Sequence, residues 1–310
     1  MPKLFYQLFI ALYPFVARLV SPFNKKAKLW VGGRINIFDE IKSRLQNDTS
    51  KKVWFHAASL GEFEQGIPLM EEVKKNYPEY KIVLTFFSSS GYENKKDYKG
   101  ADFIFYMPMD SKHNASLFYD IVKPELIIFI KYEYWYYYLS GAAKRNIPVL
   151  LVSGFFLSQF SFFKWYGSIS RKMLHFFTHL FVQNESSASL LHSININHIS
   201  VSGDTRFDRV LEIAANFKPI PEIEKLCKGK TTIVAGSTWT EDDEALDHYT
   251  WIHPEYFFII APHDISKERI DECKKLYRNA MLYSEISNQL EEACGQSAVN
   301  SIELPVSSKD

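Results

Sequence analysis

Two acidic residues of this sequence follow apolar runs at the points where buried β-strands would end. Glu62 closes the segment FHAASLGE, which leads from an apolar run into a turn and a helix, and Glu133 follows the run ELIIFI. Ligands of open parallel sheets bind at the carboxyl ends of the strands, so both carboxylates would lie on a ligand-binding rim. The helix dipole also favours an ionised carboxylate in a first turn. The pattern therefore indicates a proton acceptor at Glu62 and a second acidic group at Glu133.

The turn before Glu62 has a structural interpretation as well. Ser59-x-x-Glu62 is a capping box, in which the serine caps a helix and the glutamate reaches back to the serine amide. Spacing alone favours capping over catalysis, but one carboxylate can serve both roles. Ser59 and Gly61 of this turn are candidates for substrate binding.

A serine-rich loop follows the second apolar run and opens another predicted helix. Its hydroxyls and amides could bind an anion, although a serine-capped helix without a ligand is the commoner explanation. The candidate binding residues of this loop are Ser88, Ser89, Ser90 and Gly91.

Two further segments contain charged candidates for substrate binding. Asp110 belongs either to the same rim or to the N-cap of a helix that begins at Ser111. Arg206 is a cation between two carboxylates in the segment 203–208, and a structural salt bridge would explain it equally well.

The last third of the chain has a possible phosphate-binding segment. Gly236, Ser237 and Thr238 link an apolar run to an acidic helix through small residues, as a phosphate-binding loop would. Thr240 with Asp243 also fits a helix cap, and His263 after the next apolar run is either a ligand or an ordinary loop residue. The sequence contains no GxGxxG, P-loop or HExxH motif.

Short apolar runs alternate with helical segments from residue 53 onward, which predicts an α/β fold with a parallel sheet covered by helices. Two prolines in the segment 216–221 indicate a linker. The predicted organisation is an N-terminal segment 1–30, a first domain 31–211, a linker 212–229 and a second domain 230–310 that we expect to be incomplete. The predicted strands are 53–57, 81–86, 103–107, 125–130, 148–152, 180–183, 199–202, 231–235 and 257–261.

The N-terminal segment predicts a membrane anchor or a helix in the membrane plane. Residues 4–20 form a 17-residue apolar run, and the first 50 residues carry eight Lys or Arg against three Asp or Glu. A spanning helix needs about 20 apolar residues, and a buried core helix needs roughly a dozen, so a core helix is the alternative. The basic cluster that follows favours an anionic cytoplasmic membrane face. Three cysteines without metal-ligand spacing suggest neither a disulfide framework nor a zinc site.

In order along the chain, these segments resemble the 3-deoxy-D-manno-octulosonic acid (Kdo) transferases of lipopolysaccharide synthesis. The resemblance covers about residues 20–283, and the Tyr-rich 131–138 stretch with Ala261-Pro262-His263 looks like the version found in Bacteroidetes. It implies a GT-B fold, with two Rossmann-like domains facing a cleft, and an inverting enzyme that uses neither a metal nor a cofactor. The implied partners are CMP-Kdo, a lipid A precursor and phospholipids at the cytoplasmic face of the inner membrane, with no nucleic acid.

The resemblance also implies roles for individual residues. Glu62 would be the general base, the Ser88–Gly91 loop would lie near the sugar or acceptor, and Gly236–Thr238 would lie near the nucleotide phosphate. The chain departs from the family at His263, where Arg is frequent, and at Asp204 and Arg206, which replace Asn and Lys. It lacks the family's later Gly-rich loop and acidic residue. Another GT-B nucleotide-sugar transferase and an inactive truncated remnant are the alternatives.

Overall fold

The computed structural model of the chain describes residues 2–277 and 279–286. The chain divides into a first unit, Met1–Asn216, and a second unit, Phe217–Asp310. The division falls within the proline-containing segment 212–229.

The apolar runs of the first unit form a parallel sheet of seven strands, in the order β3-β2-β1-β4-β5-β6-β7. From β1 the chain adds β2 and β3 on one side of the sheet. It then returns, so that β4 pairs with the other side of β1 and β5, β6 and β7 follow outward from β4. The strands are β1 (Lys51–Ala57), β2 (Tyr80–Phe86), β3 (Phe103–Tyr106), β4 (Leu126–Ile130), β5 (Val149–Gly154), β6 (His179–Val182) and β7 (Ile199–Val201). The position between β1 and β4 is the topological switch point, where ligands of such sheets bind.

The helices of the first unit precede the sheet or connect its strands. They are α1 (Pro2–Val20), α2 (Lys25–Gly32), α3 (Ile37–Leu45), α4 (Leu60–Asn76), α5 (Ser89–Lys95), α6 (Lys112–Val122), α7 (Tyr136–Lys144), α8 (Ser168–Leu174), α9 (Glu185–His192) and α10 (Thr205–Ala215).

Both faces of this sheet are buried, which explains why its strands read as continuous apolar runs. Trp54 and Phe129 point to a core shared with α3, α6, α7 and α8. Phe55 and Ile128, their neighbours along the same strands, point to a second core under α4. This alternation follows from the two-residue period of a strand.

The second unit contains a pair of parallel strands with helices, within the described residues. They are α11 (Pro221–Cys227), β8 (Thr232–Thr238), α12 (Thr240–Ile252), β9 (Phe257–Pro262) and α13 (Lys267–Leu276). The buried Asp243 of α12 holds this unit together, because its carboxylate binds Arg269 of α13 and accepts a hydrogen bond from the Tyr277 hydroxyl at 3.0 Å.

All nine predicted strands are confirmed, with ends that differ by a few residues. The largest difference is at β8, which was predicted to end at Ala235 and continues to Thr238. Its register against β9 shifts between Gly236 and Thr238. The predicted phosphate loop is therefore the irregular end of a strand.

The core-helix alternative for the N-terminal segment is wrong. Ile10 is the one buried residue among the described side chains of α1, and Lys3–Val20 is long and apolar enough by composition to cross a membrane.

Candidate functional site

The two acidic residues singled out in the sequence lie at one edge of the sheet. Glu62 is in the first turn of α4, directly after β1, and Glu133 follows β4. Strands β1 and β4 are paired in parallel, with His56 opposite Phe129, so their carboxyl ends are adjacent. The sequence therefore placed both carboxylates correctly at the switch point of the sheet.

Glu62 is a capping residue whose carboxylate is almost removed from water. Its Oε2 accepts a hydrogen bond from the Ser59 amide at 3.0 Å, in the capping box of α4. Burial and the charge of Glu133 raise the pKa of Glu62 to about 7, against the opposing effect of the Ser59 and Ala58 amides. A group with this pKa is half ionised near neutral pH, which suits a general base.

Glu133 is a buried carboxylate fixed by two ring donors. Its Oε2 accepts hydrogen bonds from His56 Nε2 at 2.8 Å and from Trp135 Nε1 at 2.5 Å. Within the described part of the chain, no hydrogen bond is made to its Oε1. One oxygen is thus held by the protein while the other remains for water or a ligand.

His56 connects Glu133 to the interior of the sheet. It is fully buried on β1, and its Nδ1 lies 2.8 Å from Thr85 Oγ1, which accepts a hydrogen bond from Trp54 Nε1 at 2.7 Å. His56 Nδ1 also lies 3.1 Å from the Thr85 carbonyl oxygen. Both ring nitrogens of His56 therefore have hydrogen-bond partners, and the ring links Thr85 to Glu133.

Cations border the two carboxylates. Lys131 directly follows β4 with a positive φ of 67°, and its charge counteracts the rise in the pKa of Glu62. Arg206 is exposed and forms an ion pair with Asp204 at 2.5 Å, which lowers the pKa of Asp204. The salt-bridge interpretation of Arg206 therefore describes its contacts, while its guanidinium stays open to solvent.

The start of α10 is tied to the same edge of the sheet. Thr205 Oγ1 lies 2.9 Å from the Ser153 hydroxyl at the end of β5. Tyr132 lies near charges of both signs: burial and then the charge of Glu62 raise its pKa, and the charge of Arg206 opposes the rise. The structure thus brings Glu62, Glu133 and Arg206 to one rim.

The serine loop lies beside the turn that carries Glu62. The Ser88 amide donates to the Ala58 carbonyl at 2.7 Å, and the Ser88 hydroxyl accepts from the Gly91 amide at 3.1 Å as the N-cap of α5. Ser90 Oγ lies 3.1 Å from Ser88 Oγ, and Ser89 is buried. Gly91 is required by packing, because a Cβ there would lie 2.5 Å from the Phe86 ring.

Asp110 lies apart from this rim in the interior. It is fully buried, and it accepts hydrogen bonds from the amides of Tyr137 and Tyr138 at 3.0 Å and from the Tyr6 hydroxyl at 2.5 Å. Burial raises its pKa to about 6 despite these donors. It therefore caps α7, whereas Ser111 caps the helix that the sequence assigned to Asp110. Substrate binding by Asp110 stays a prediction that these contacts do not support.

A second group of predicted site residues meets in the second unit. Ser237 Oγ lies 2.7 Å from His263 Nδ1, and the His263 ring stacks on Trp239 with centroids 4.5 Å apart. Ser237 has a positive φ of 61°. The Thr238 hydroxyl is buried without a hydrogen-bond partner in the described structure. Gly236 lies next to them, and a Cβ there would meet open space.

The sequence did not identify the residues that support the rim. His56 and Trp135 lie in segments that were singled out, but their contacts with Glu133 depend on strand pairing. Arg34 is a buried cation that donates to the carbonyls of Trp30, Phe87 and Met107 at 2.8–3.1 Å. It thereby fixes the loops after β2 and β3, and burial lowers its pKa to about 9. Nothing local in the sequence distinguishes it from a surface arginine.

Comparison with known proteins gives one family match. The family described as 3-Deoxy-D-manno-octulosonic-acid transferase (kdotransferase), N-terminal part, matches residues 34–209. That range contains the whole rim.

Individual relatives carry the same description. The 3-deoxy-D-manno-octulosonic acid transferase of Rickettsia bellii is 25% identical over 203 residues, covering 65% of this chain and 48% of the relative. That of Rickettsia felis is 26% identical over 232 residues, covering 72% and 49%. That of Aquifex aeolicus is 33% identical over 106 residues, covering 33% and 28%. The chain thus spans about half the length of the first two relatives.

Solved structures support the fold class. The UDP-GlcNAc 2-epimerase from Neisseria meningitidis bound to UDP-GlcNAc superposes with a TM-score of 0.56 at 16% identity, covering 74% of this chain and 70% of that one. At this identity the likeness concerns the fold alone. Together with the seven-stranded parallel sheet, it confirms the α/β fold of GT-B type.

Proposed function

The chain belongs to the 3-deoxy-D-manno-octulosonic-acid transferase family, and on that premise we propose that it is a glycosyltransferase that moves Kdo from CMP-Kdo to the lipid A precursor. The observation that carries the proposal is the buried carboxylate of Glu62 at the switch point of the sheet, with its pKa raised to about 7. A transferase needs a base at this place, and neither a metal nor a cofactor enters the proposed reaction.

Glu62 accepts the proton of the acceptor hydroxyl in this proposal. The hydroxyl oxygen forms a bond to the anomeric carbon of Kdo, while the bond from that carbon to the phosphate oxygen breaks and CMP leaves with the electron pair. Attack on the face opposite to CMP inverts the anomeric centre. The raised pKa makes the carboxylate a better proton acceptor than an exposed glutamate, because proton transfer is most efficient when the pKa lies near the working pH.

The charges around Glu62 suit a sugar acid. Lys131 and Arg206 are cations at the rim, and Kdo carries a carboxylate that would bind to them. The Ser88–Gly91 loop supplies hydroxyls next to the Glu62 turn. Glu133, fixed by His56 and Trp135, supplies the negative charge that keeps the pKa of Glu62 high.

The second unit is proposed to bind the nucleotide phosphate at Gly236, Ser237, Thr238 and His263. The Ser237–His263 hydrogen bond and the unpartnered Thr238 hydroxyl support this proposal, because a phosphate accepts several hydrogen bonds at once. A monophosphate leaving group requires less charge neutralisation than a pyrophosphate, so hydroxyl, amide and imidazole donors are sufficient.

The acceptor is a lipid, and we propose that the chain works at the cytoplasmic face of the inner membrane, where the apolar helix α1 attaches it. The exposed apolar side chains of α1 and the basic residues that follow it support this placement.

The test is a transfer assay with the purified chain, CMP-Kdo and the lipid A precursor, read by mass spectrometry of the lipid. Appearance of the Kdo-lipid and its loss in Glu62→Gln would support the proposal. The matched control is Glu64→Gln, a partly exposed glutamate two residues further along α4 that pairs with Lys95. Transfer from a UDP-sugar but not from CMP-Kdo would show that the chain transfers a sugar other than Kdo. Absence of transfer with every donor would identify the chain as an inactive remnant.

A further inference from the structure

Helix α1 has one face on the protein and the other in solvent. Tyr6 donates to Asp110 and accepts from the Tyr136 amide at 3.0 Å, so it joins α1 to the start of α7. One turn further Ile10 is buried, and Tyr13 packs against Trp30 with ring centroids 5.1 Å apart. These contacts recur every three or four residues, the period of one helix face. They dock the middle of α1, from Tyr6 to Tyr13, on the rest of the first unit.

The opposite face of α1 is apolar and exposed. Phe5 is 68% exposed, Phe15 57% and Leu19 59%, and the helix extends over about 28 Å. Polar side chains are confined to its inner face and its two ends. The exposed apolar residues are Leu4, Phe5, Leu8, Phe9, Leu12, Phe15, Val16, Leu19 and Val20. An apolar surface of this extent on a soluble protein is the sign of a binding surface.

A basic groove lies beside this helix. It has a volume of about 760 Å³ and runs between α6, α7 and α8, with the start of α1 at its border. Lys3, Lys112, Lys144 and Lys172 line it, and none of these four forms an ion pair with the residues that the structure describes. Arg145 also lines it but is paired with Asp120 at 2.9 Å. The groove therefore has an excess of positive charge.

The remaining charge near α1 has the same sign. Lys25, Lys26 and Lys28 are exposed on α2, which packs against α1, and residues 1–38 contain six Lys or Arg and no Asp or Glu. A second copy of the chain on this face would bring like charges together, which disfavours self-association. An anionic surface with an apolar interior complements both features.

We propose that α1 and the basic groove form one docking surface for a bilayer of anionic phospholipids, with α1 lying in the plane of the interface. The outer side chains of α1 enter the acyl boundary, and Lys3, Lys112, Lys144 and Lys172 bind headgroup phosphates in the groove. A spanning arrangement would require α1 to leave Asp110, Tyr136 and Trp30. The inference specifies the membrane attachment proposed above and rests on it.

The groove is tested by flotation of the full chain with vesicles of phosphatidylcholine, with and without phosphatidylglycerol. Each lysine near an anionic surface contributes about fivefold in affinity, so the triple variant Lys112→Ala, Lys144→Ala, Lys172→Ala should bind anionic vesicles roughly a hundredfold more weakly. Binding to neutral vesicles should not change. The matched control removes Lys74, Lys75 and Lys99, which lie together around the end of α4 on the other side of the sheet.

The results of this experiment distinguish phospholipid binding by the basic groove from membrane attachment by α1. Equal losses in the triple variant and its control, or no loss in either, would overturn the groove and leave membrane attachment standing. Failure of the unmodified chain to float with any vesicle would overturn both. The in-plane arrangement is tested with an epitope tag before Pro2 and protease added outside the vesicles. Cleavage of the tag supports it, and protection of the tag would show that α1 crosses the bilayer.

Discussion

The rim of the first unit and the strand end of the second unit are built differently. Glu62 and Glu133 are buried carboxylates held by ring and backbone donors, whereas Ser237 and His263 are exposed, form a hydrogen bond to each other and lie beside the Trp239 ring. Holding two like charges out of water costs stability, and proteins keep such arrangements where the chemistry needs a shifted pKa. An exposed hydroxyl and an exposed imidazole lower the stability of the fold very little. The comparison supports the proposal that proton transfer takes place in the first unit and that the second unit binds its ligand by ordinary hydrogen bonds.

The largest expected effect is at Glu62. Glu62→Gln keeps an acceptor for the Ser59 amide but cannot take up a proton, so transfer should fall by about two to four orders of magnitude. The same change should stabilise the fold at pH 8 by roughly 3 kcal/mol, because a pKa raised from 4.5 to about 7 costs the ionised form about 1.4 kcal/mol per pH unit.

Urea unfolding of the wild type and Glu62→Gln at pH 4 and pH 8 measures this gain in stability. The native state holds the proton of Glu62 up to pH 7 while the unfolded state releases it near 4.5, so wild-type stability falls as the pH rises through that window. The gain should therefore be present at pH 8 and absent at pH 4. A variant that is less stable at pH 8 would show that the capping contact of Glu62 outweighs the cost of its buried charge.

The second effect concerns Glu133 and appears in the pH profile. Glu133→Gln removes a negative charge that raises the pKa of Glu62, and the amide oxygen can still accept from His56 and Trp135. The rising limb of kcat/KM, expected near pH 7 in the wild type, should move to lower pH. Burial still raises the pKa, so the limb should stay above 4.5.

Glu125→Gln is the control for this profile, because Glu125 is an acidic residue at the other end of β4 that bonds to Tyr80. Its profile should match that of the wild type. An unshifted limb in Glu133→Gln would mean that Glu133 binds substrate without controlling Glu62.

The fold could be predicted more fully than the site. Most strands of the seven-stranded sheet are buried on both faces, so continuous apolar runs located them. Apolar runs also located β8 and β9, which are less buried. The carboxylates after β1 and β4 could be predicted because the carboxyl ends of parallel strands lie at the same edge of a sheet. Contacts between segments distant in sequence could not be read in this way. Asp110 caps α7, 27 residues further on, and His56 reaches Glu133 across 77 residues. Local spacing assigned Asp110 to the nearer helix for that reason.

A smaller effect is expected at Asp110, and it should be one of stability. Asp110→Asn places an amide where the Tyr6 hydroxyl and the amides of Tyr137 and Tyr138 all donate to a carboxylate. One of these buried donors then loses its acceptor, which should lower the free energy of unfolding by about 1–3 kcal/mol. The raised pKa of Asp110 makes wild-type stability fall between pH 3.8 and about 6, and the variant should lack that dependence. Thermal unfolding across this range measures both. A change of KM without loss of stability would instead support the predicted contact of Asp110 with substrate.

The smallest effect is expected at Ser237 in the second unit. Ser237→Ala removes one exposed hydroxyl and its hydrogen bond to His263, and a single hydrogen bond contributes about 0.5–1.5 kcal/mol. CMP should therefore bind up to roughly tenfold more weakly in calorimetry, while kcat stays unchanged because no proton is transferred there. Ser266→Ala is the control, since Ser266 is a partly exposed serine of the same unit whose hydroxyl bonds to Asp264 rather than to the strand end. A loss of kcat in Ser237→Ala comparable to that in Glu62→Gln would erase the contrast between the two regions, because it would place a group essential to the chemical step in the second unit.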